Sequence, residues 1–216
     1  MTLANRLTLI RLALVPFFMS FMIYDNLWTR AFALIIFIGA SITDWYDGSL
    51  ARRTGTVTLI GTFLDPLVDK MLIAAALIGF VELKELHVPA WMVVVIISRE
   101  FLITGLRTLA ASRGIVMAAE KAGKWKTAFQ MTAVITSLVI LIANAAMRRW
   151  PEAQLIDPVA WQAAIRWFLR WAPYWLVLAT TFFTAVSGYL YIRKYRELLR
   201  QEFAMRKIQK RRTADS

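Results

Sequence analysis

Between Asp25 and Glu82 the acidic residues are Asp44, Asp47, Asp65 and Asp69, and they interrupt two long apolar runs. A carboxylate at membrane depth costs at least ~2.5–3.5 kcal/mol even on a lenient insertion scale. Asp44, Asp47 and Ala51 stand at i, i+3 and i+7, and Asp65 and Asp69 at i and i+4, so on helices each set shares a face. Two such helices side by side would gather four carboxylates into one cluster, which only cations or protons can hold together. All-oxygen donors suit Mg²⁺, Mn²⁺ or Ca²⁺ rather than zinc or copper. Four carboxylates suffice to bridge two metals, the arrangement that clamps both oxygens of a displacement at phosphorus. Gly48 and Gly61 leave room for close helix approach or for a ligand against the backbone. The same acids would also suit an ion pathway or a proton relay. Spacing alone leaves metal catalysis and cation transport equally open.

The elements that must position these residues are membrane helices. Of 216 residues, 59% are hydrophobic, and the mean hydropathy is +0.54; soluble domains lie nearer ~45–50% apolar. Nine Trp and 13 Phe fit aromatic belts at two interfaces. A span needs ~20 mostly apolar residues. Candidates are 9–24, a second beginning at 31–42 and running into the aspartates, 59–81, 91–109, 127–146 and 174–191. The stretch 159–171, short and rich in Trp and Arg, reads as a separate helix lying in the interface. The first segment shows no small-residue cleavage motif and reads as a retained span. The prediction is an all-α integral membrane protein of about six transmembrane helices, with residues 1–195 as the membrane domain and 196–216 as a basic tail.

Six spans put both termini on one side, and the positive-inside rule makes that side cytoplasmic. The connections 41–58 and 107–126 then face the cytoplasm with Arg52, Arg53, Arg107, Arg113, Lys121, Lys124 and Lys126. One outward loop disagrees, since 147–171 holds Arg148, Arg149, Arg166 and Arg170, which read as interfacial. The net charge of +12 is concentrated at the end, with nine Lys or Arg against two Glu in 193–212. That tail reads as solvated, with docking on anionic headgroups as the sharper alternative. No motif accompanies the charge, so a nucleic-acid partner is not expected. The chain has no cysteine, which excludes disulfides, thiol catalysis and Cys-ligated metals, and its single histidine, His87, cannot build a His-rich site.

Written out, the acidic segment is D-x2-D-G-x2-A-R-x8-G-x3-D-x3-D, from Asp44 to Asp69. It resembles the signature of the CDP-alcohol phosphotransferases, with all eight fixed positions filled in a 26-residue window. The stretches Asn5–Arg11, Thr43–Asp47, Phe63–Lys70, Ser98–Phe101 and Gly123–Thr127 are similar to the phosphatidylglycerophosphate synthase branch. The resemblance covers roughly residues 3 to 135; beyond that only a hydrophobic pattern remains.

The resemblance implies a six-helix fold, usually homodimeric, in the bacterial cytoplasmic membrane, with a polar cavity open to the cytoplasmic interface. It implies transfer of a phosphatidyl group from CDP-diacylglycerol to sn-glycerol 3-phosphate, with release of CMP. Asp44, Asp47, Asp65 and Asp69 would hold divalent cations, Mg²⁺ or Mn²⁺, two per site. Asp69 matches the proposed general base. Asn5, Thr8, Gly48, Ala51, Arg52 and Gly61 would contact CDP-diacylglycerol. Arg99, Arg107 and Lys124 match the branch's phosphate-binding residues. Arg99 and Arg107, eight apart, lie about two turns apart on one helix face. Lys121 and Lys126 read as solvated charges, and Glu100 as the partner of a nearby base rather than a reactive group. Rival acceptors on the same scaffold are phosphatidylglycerol, as in a cardiolipin synthase, inositol phosphate and serine.

Overall fold

The computed structural model describes the backbone of residues 3–54, 59–111, 121–150 and 160–212, and side chains within 9–43, 68, 70–111 except Leu109, 126–150 and 167–196. All of its regular structure is helical: α1 (Leu3–Ile23), α2 (Leu27–Thr54), α3 (Leu59–Glu82), α4 (Ala90–Ala111), α5 (Lys121–Arg149) and α6 (Ala160–Arg212), with one 3₁₀ turn at Lys84–Leu86.

The turns follow from local chemistry. Asn26 caps α2, its Oδ1 accepting the Trp28 N–H at 2.9 Å, which satisfies one of the donors a helix start leaves open. Between α3 and α4 the chain reverses through His87, whose φ of 53° is left-handed, and Pro89 then opens α4. Such short connections make consecutive helices antiparallel neighbours. The end of α1, the start of α2, the end of α3 and the start of α4 thus meet at one end of the bundle, with the end of α5.

An ionic clamp closes that end. Arg30, 2% exposed, reaches Glu85 at 2.5 Å and Asp25 at 3.3 Å, and donates to the Leu141 carbonyl at 3.0 Å. Arg148 reaches Asp25 at 2.6 Å and Glu85 at 3.2 Å. Two arginines therefore face two carboxylates, and Arg148, one of the charges at odds with the positive-inside rule, is neutralised locally. The His87 ring lies 5.0 Å from that of Trp171, which ties α6 to the same end.

Below the clamp, Phe18, Met22, Phe37, Leu77, Phe80 and Leu138 form a fully buried core. Gly79 of α3 leaves room for the Met22 side chain of α1, since a Cβ there would collide with its Cε. The outer faces are apolar as well: Phe17, Ile35, Ile78, Val94 and Phe182 are all more than half exposed, the pattern of a surface that meets lipid tails. Among the described residues, two helical stretches are long and apolar enough to cross a bilayer, Lys126–Arg149 and Trp167–Arg196. Leu9–Ile23 and Leu27–Thr43 are shorter apolar helices. Among the described residues all regular structure is helical, consistent with membrane embedding.

One expectation changes. The interfacial helix foreseen at 159–171 is not separate: α6 runs unbroken for 53 residues with Pro173 inside it, about 80 Å at ~1.5 Å per residue. A proline removes one backbone donor, a local loss that packed neighbours can absorb, and Pro173 and Ala172 are buried. The helix also passes residue 195 without a break.

Candidate active site

The opposite end of the bundle carries the polar residues. α2 delivers Asp44, Asp47, Gly48, Ala51 and Arg52, and α3 delivers Gly61, Asp65 and Asp69, all on helical backbone. Asn5 and Thr8 lie on α1 and Lys124 on α5. The side chains of these eleven residues lie outside the described ones. Their neighbours in the chain are described. Ser41, three residues before Asp44, and Lys70, next after Asp69, line one cavity of about 190 Å³. Its walls also include Arg11 of α1, Glu100 of α4, and Lys126 and Gln130 of α5. The two acid-bearing helices are thus brought to a common space. Among the described residues that space is lined by three basic side chains and one carboxylate.

Glu100 organises the bases. Its Oε2 accepts from Lys70 Nζ at 3.3 Å, and its Oε1 accepts from Arg99 Nη1 at 3.1 Å and from Lys126 Nζ. The expectation that Glu100 pairs with a base holds threefold, joining α3, α4 and α5. Lys126 corrects the sequence reading: it is not solvated but 3% exposed. Its position in Lys124-Trp-Lys126 gave no clue to which lysine turns inward. The side chain of Lys121 lies outside the described residues.

Arg99 and Arg107 do share a face, and that face meets α6. Arg99 Nη2 donates to Ser187 Oγ at 2.7 Å. Arg107 Nε donates to the Tyr191 hydroxyl at 3.4 Å, with its guanidinium 5.7 Å from the ring centroid. Ile103, one turn from each arginine, is buried with Tyr191 and Tyr195. Ser187 and Tyr191 were missed because they lie in the C-terminal third, where the sequence shows only hydrophobic patterning. The small and hydroxylated residues Thr180, Thr181, Thr184 and Ser187, all buried, were the available signal.

Among the described residues no group of three His, Cys, Asp or Glu could hold a metal. The donors that fit one are the four aspartates, whose all-oxygen chemistry suits a hard divalent cation. No neutral nitrogen or sulfur ligand accompanies them in the segment.

With this geometry in place, the class is defined: the chain belongs to the CDP-alcohol phosphatidyltransferase family, whose model matches residues 1–186. Proteins of this family are embedded in membranes and generally depend on divalent metals. The chain is 40% identical over 210 residues to the CDP-diacylglycerol–glycerol-3-phosphate 3-phosphatidyltransferase of Bacillus subtilis (strain 168), covering 92% of this chain and 97% of that protein. It is 34% identical over 173 residues to the protein of the same name from Yersinia pestis (strain Pestoides F), covering 72% and 92%. It is also 37% identical over 156 residues to a CMP-forming cardiolipin synthase of Oryza sativa subsp. japonica, covering 67% of this chain and 46% of that protein.

Proposed function

We propose that this protein transfers the phosphatidyl group of CDP-diacylglycerol to sn-glycerol 3-phosphate, forming phosphatidylglycerophosphate and CMP. The observation that carries the reading is the shared cavity: the segments bearing the complete aspartate motif border one basic space, beside an arginine pair suited to a phosphorylated acceptor. The near full-length likeness to the Bacillus subtilis protein supports the same acceptor.

In this reading Asp44, Asp47, Asp65 and Asp69 hold two divalent cations, Mg²⁺ or Mn²⁺. When bound, such ions neutralise the donor's diphosphate and stabilise the departing CMP. Asn5, Thr8, Gly48, Ala51, Arg52 and Gly61 hold the nucleotide and diphosphate of the donor. Arg99, Arg107 and Lys124 hold the acceptor's phosphate, with Lys126 adding positive field from the cavity wall. Asp69 takes the proton of the glycerol hydroxyl as its oxygen bonds to the diacylglycerol-bearing phosphorus. The bond from that phosphorus to the CMP oxygen breaks in the same displacement. No Ser-His or Cys-His pair is present in the sequence to form a covalent intermediate, since the chain lacks Cys and its one histidine, His87, sits at the clamped end.

The same reading places six spans in the bacterial cytoplasmic membrane, with both termini and the cavity mouth on the cytoplasmic side, where glycerol 3-phosphate is available. Residues 1–195 form the membrane domain, 196–216 a basic cytoplasmic tail, and two copies form a homodimer; no nucleic acid takes part. The second reading, favoured by the rice relative, is the same chemistry with phosphatidylglycerol as acceptor. CMP release from CDP-diacylglycerol, measured with each acceptor in Mg²⁺ or Mn²⁺, separates them. Release that requires glycerol 3-phosphate supports the first, and faster release with phosphatidylglycerol or inositol phosphate overturns it.

A further inference from the structure

We propose that Ser187 and Tyr191 of α6 are positioning residues that draw Arg99 and Arg107 into one phosphate clamp and so set the affinity for the acceptor. This rests on assigning that arginine pair to the acceptor's phosphate.

Arg99 and Arg107 are eight residues apart on α4, about 12 Å of helix rise. Their partners Ser187 and Tyr191 are four apart on α6, about 6 Å of rise. Both helices run from the clamped end toward the polar end, so Arg99 meets the earlier partner and Arg107 the later one. Two guanidinium groups rooted about two turns apart on α4 are therefore both held by residues rooted about one turn apart on α6. Roots that draw closer in this way favour two guanidinium groups meeting one phosphate from two sides.

The anchor on Arg107 leaves donors to spare: among the described residues it makes its one hydrogen bond through Nε, and both Nη groups remain for a ligand. Arg99 is held through Nη1 by Glu100 and through Nη2 by Ser187, with a second N–H on each of those nitrogens. The anchors are rigid, with Ser187 5% and Tyr191 2% exposed. Gly188 completes the seat: a Cβ there would stand 3.0 Å from Arg99 Cγ, so glycine lets the arginine stem lie against α6. A long side chain already held in place loses less freedom when it binds its ligand. The contribution of α6 is thus preorganisation of groups that another helix supplies.

The test is steady-state CMP release by the purified full-length protein, with each substrate varied in turn. Ser187→Ala and Tyr191→Leu are expected to raise KM for glycerol 3-phosphate about tenfold, the effect of losing a hydrogen bond to a charged group. KM for CDP-diacylglycerol should stay within about twofold, since the bond lost is to an acceptor arginine. Ser187→Thr, which keeps the hydroxyl, should restore acceptor KM. Tyr191→Phe, which keeps the ring and removes only the hydroxyl, should give an intermediate rise and serves as the readout if Tyr191→Leu fails to fold. An equal change in both KM values with a fall in kcat would mean a merely structural role and overturn the proposal. So would unchanged acceptor KM in Ser187→Ala and Tyr191→Phe while Arg99→Ala and Arg107→Ala raise it. If those two arginine variants leave acceptor KM unchanged, the acceptor-site assignment itself falls, and this inference with it.

Discussion

Lys126 of α5 donates to Oε1 of Glu100 on α4, and both are largely withdrawn from solvent, with side chains 4% and 13% exposed. The same carboxylate holds Lys70 of α3, the residue next to Asp69. Three helices are thereby joined by one acidic side chain at the border of the proposed metal site. Removing a single partner from such a cluster leaves buried charge uncompensated, which typically costs about 3–5 kcal/mol.

Glu100→Ala is therefore expected to lower the thermal unfolding midpoint in detergent substantially more than Lys126→Met does. Lys126→Met leaves Glu100 with Lys70 and Arg99, whereas Glu100→Ala strips all three bases of their shared partner. The double variant should be less destabilised than the sum of the two, with a coupling of about 0.5–3 kcal/mol for residues in contact. Additive losses would mean that the pair is not coupled.

Arg30 makes a different prediction because it sits at the clamped end. Arg30→Ala breaks contacts with Asp25, Glu85 and the Leu141 carbonyl. Stability should fall by about 1–3 kcal/mol, the range for lost hydrogen bonds to a charged group, because Asp25 and Glu85 keep Arg148 and part of their exposure to solvent. The kcat per folded molecule should remain that of the wild type, because the clamp lies at the far end from the cavity. Parallel measurement of unfolding and CMP release checks this, and an unstable variant with unchanged turnover per folded molecule is the expected result.

Gly79 tests the packing of α1 on α3. Gly79→Ala should destabilise by about 1–3 kcal/mol, the usual penalty for overpacking, because the new methyl group meets Met22. Met22→Ala, costly in the wild type because that side chain is fully buried, should cost less on that background, where it also removes the clash. Unfolding midpoints of the two single variants and the double variant decide it.

Asp69→Asn tests the assigned base. CMP release should fall by about 10²–10⁴-fold, the typical contribution of general base catalysis. Binding of CDP-diacylglycerol, followed by titration, should persist. Loss of donor binding alongside turnover would move Asp69 from proton transfer to ligand holding alone.

Of the proposed site, the part the sequence suggests is the part written in charges within apolar runs. Asp44, Asp47, Asp65 and Asp69 stand out because carboxylates are costly in an apolar segment, which makes them the candidates for a site. Arg99 and Arg107 were readable as one face from their spacing alone. Lys126 was not, because a lysine at the start of an apolar helix looks the same whether it snorkels to water or turns in to a carboxylate on another helix. Ser187 and Tyr191 were hidden for a related reason: small hydroxyl and tyrosine residues are common in membrane helices, and only the arrival of α4 gives these two a partner. The helices themselves were visible as apolar runs. Their ends were less so, since the Trp- and Arg-rich stretch 159–171 reads as a separate interfacial helix, whereas α6 runs on through it without a break.

The central claim is that carboxylates from α2 and α3 together gather two divalent cations at the displacement site. Its most direct measure is a Mn²⁺ titration of the purified protein followed by electron paramagnetic resonance, with the wild type beside Asp44→Asn and Asp65→Asn, one substitution from each helix. The account predicts two bound Mn²⁺ per wild-type chain, and loss of bound metal together with CMP release in either variant. Full Mn²⁺ binding in both variants, or CMP release that survives chelation of all divalent metal, would contradict it.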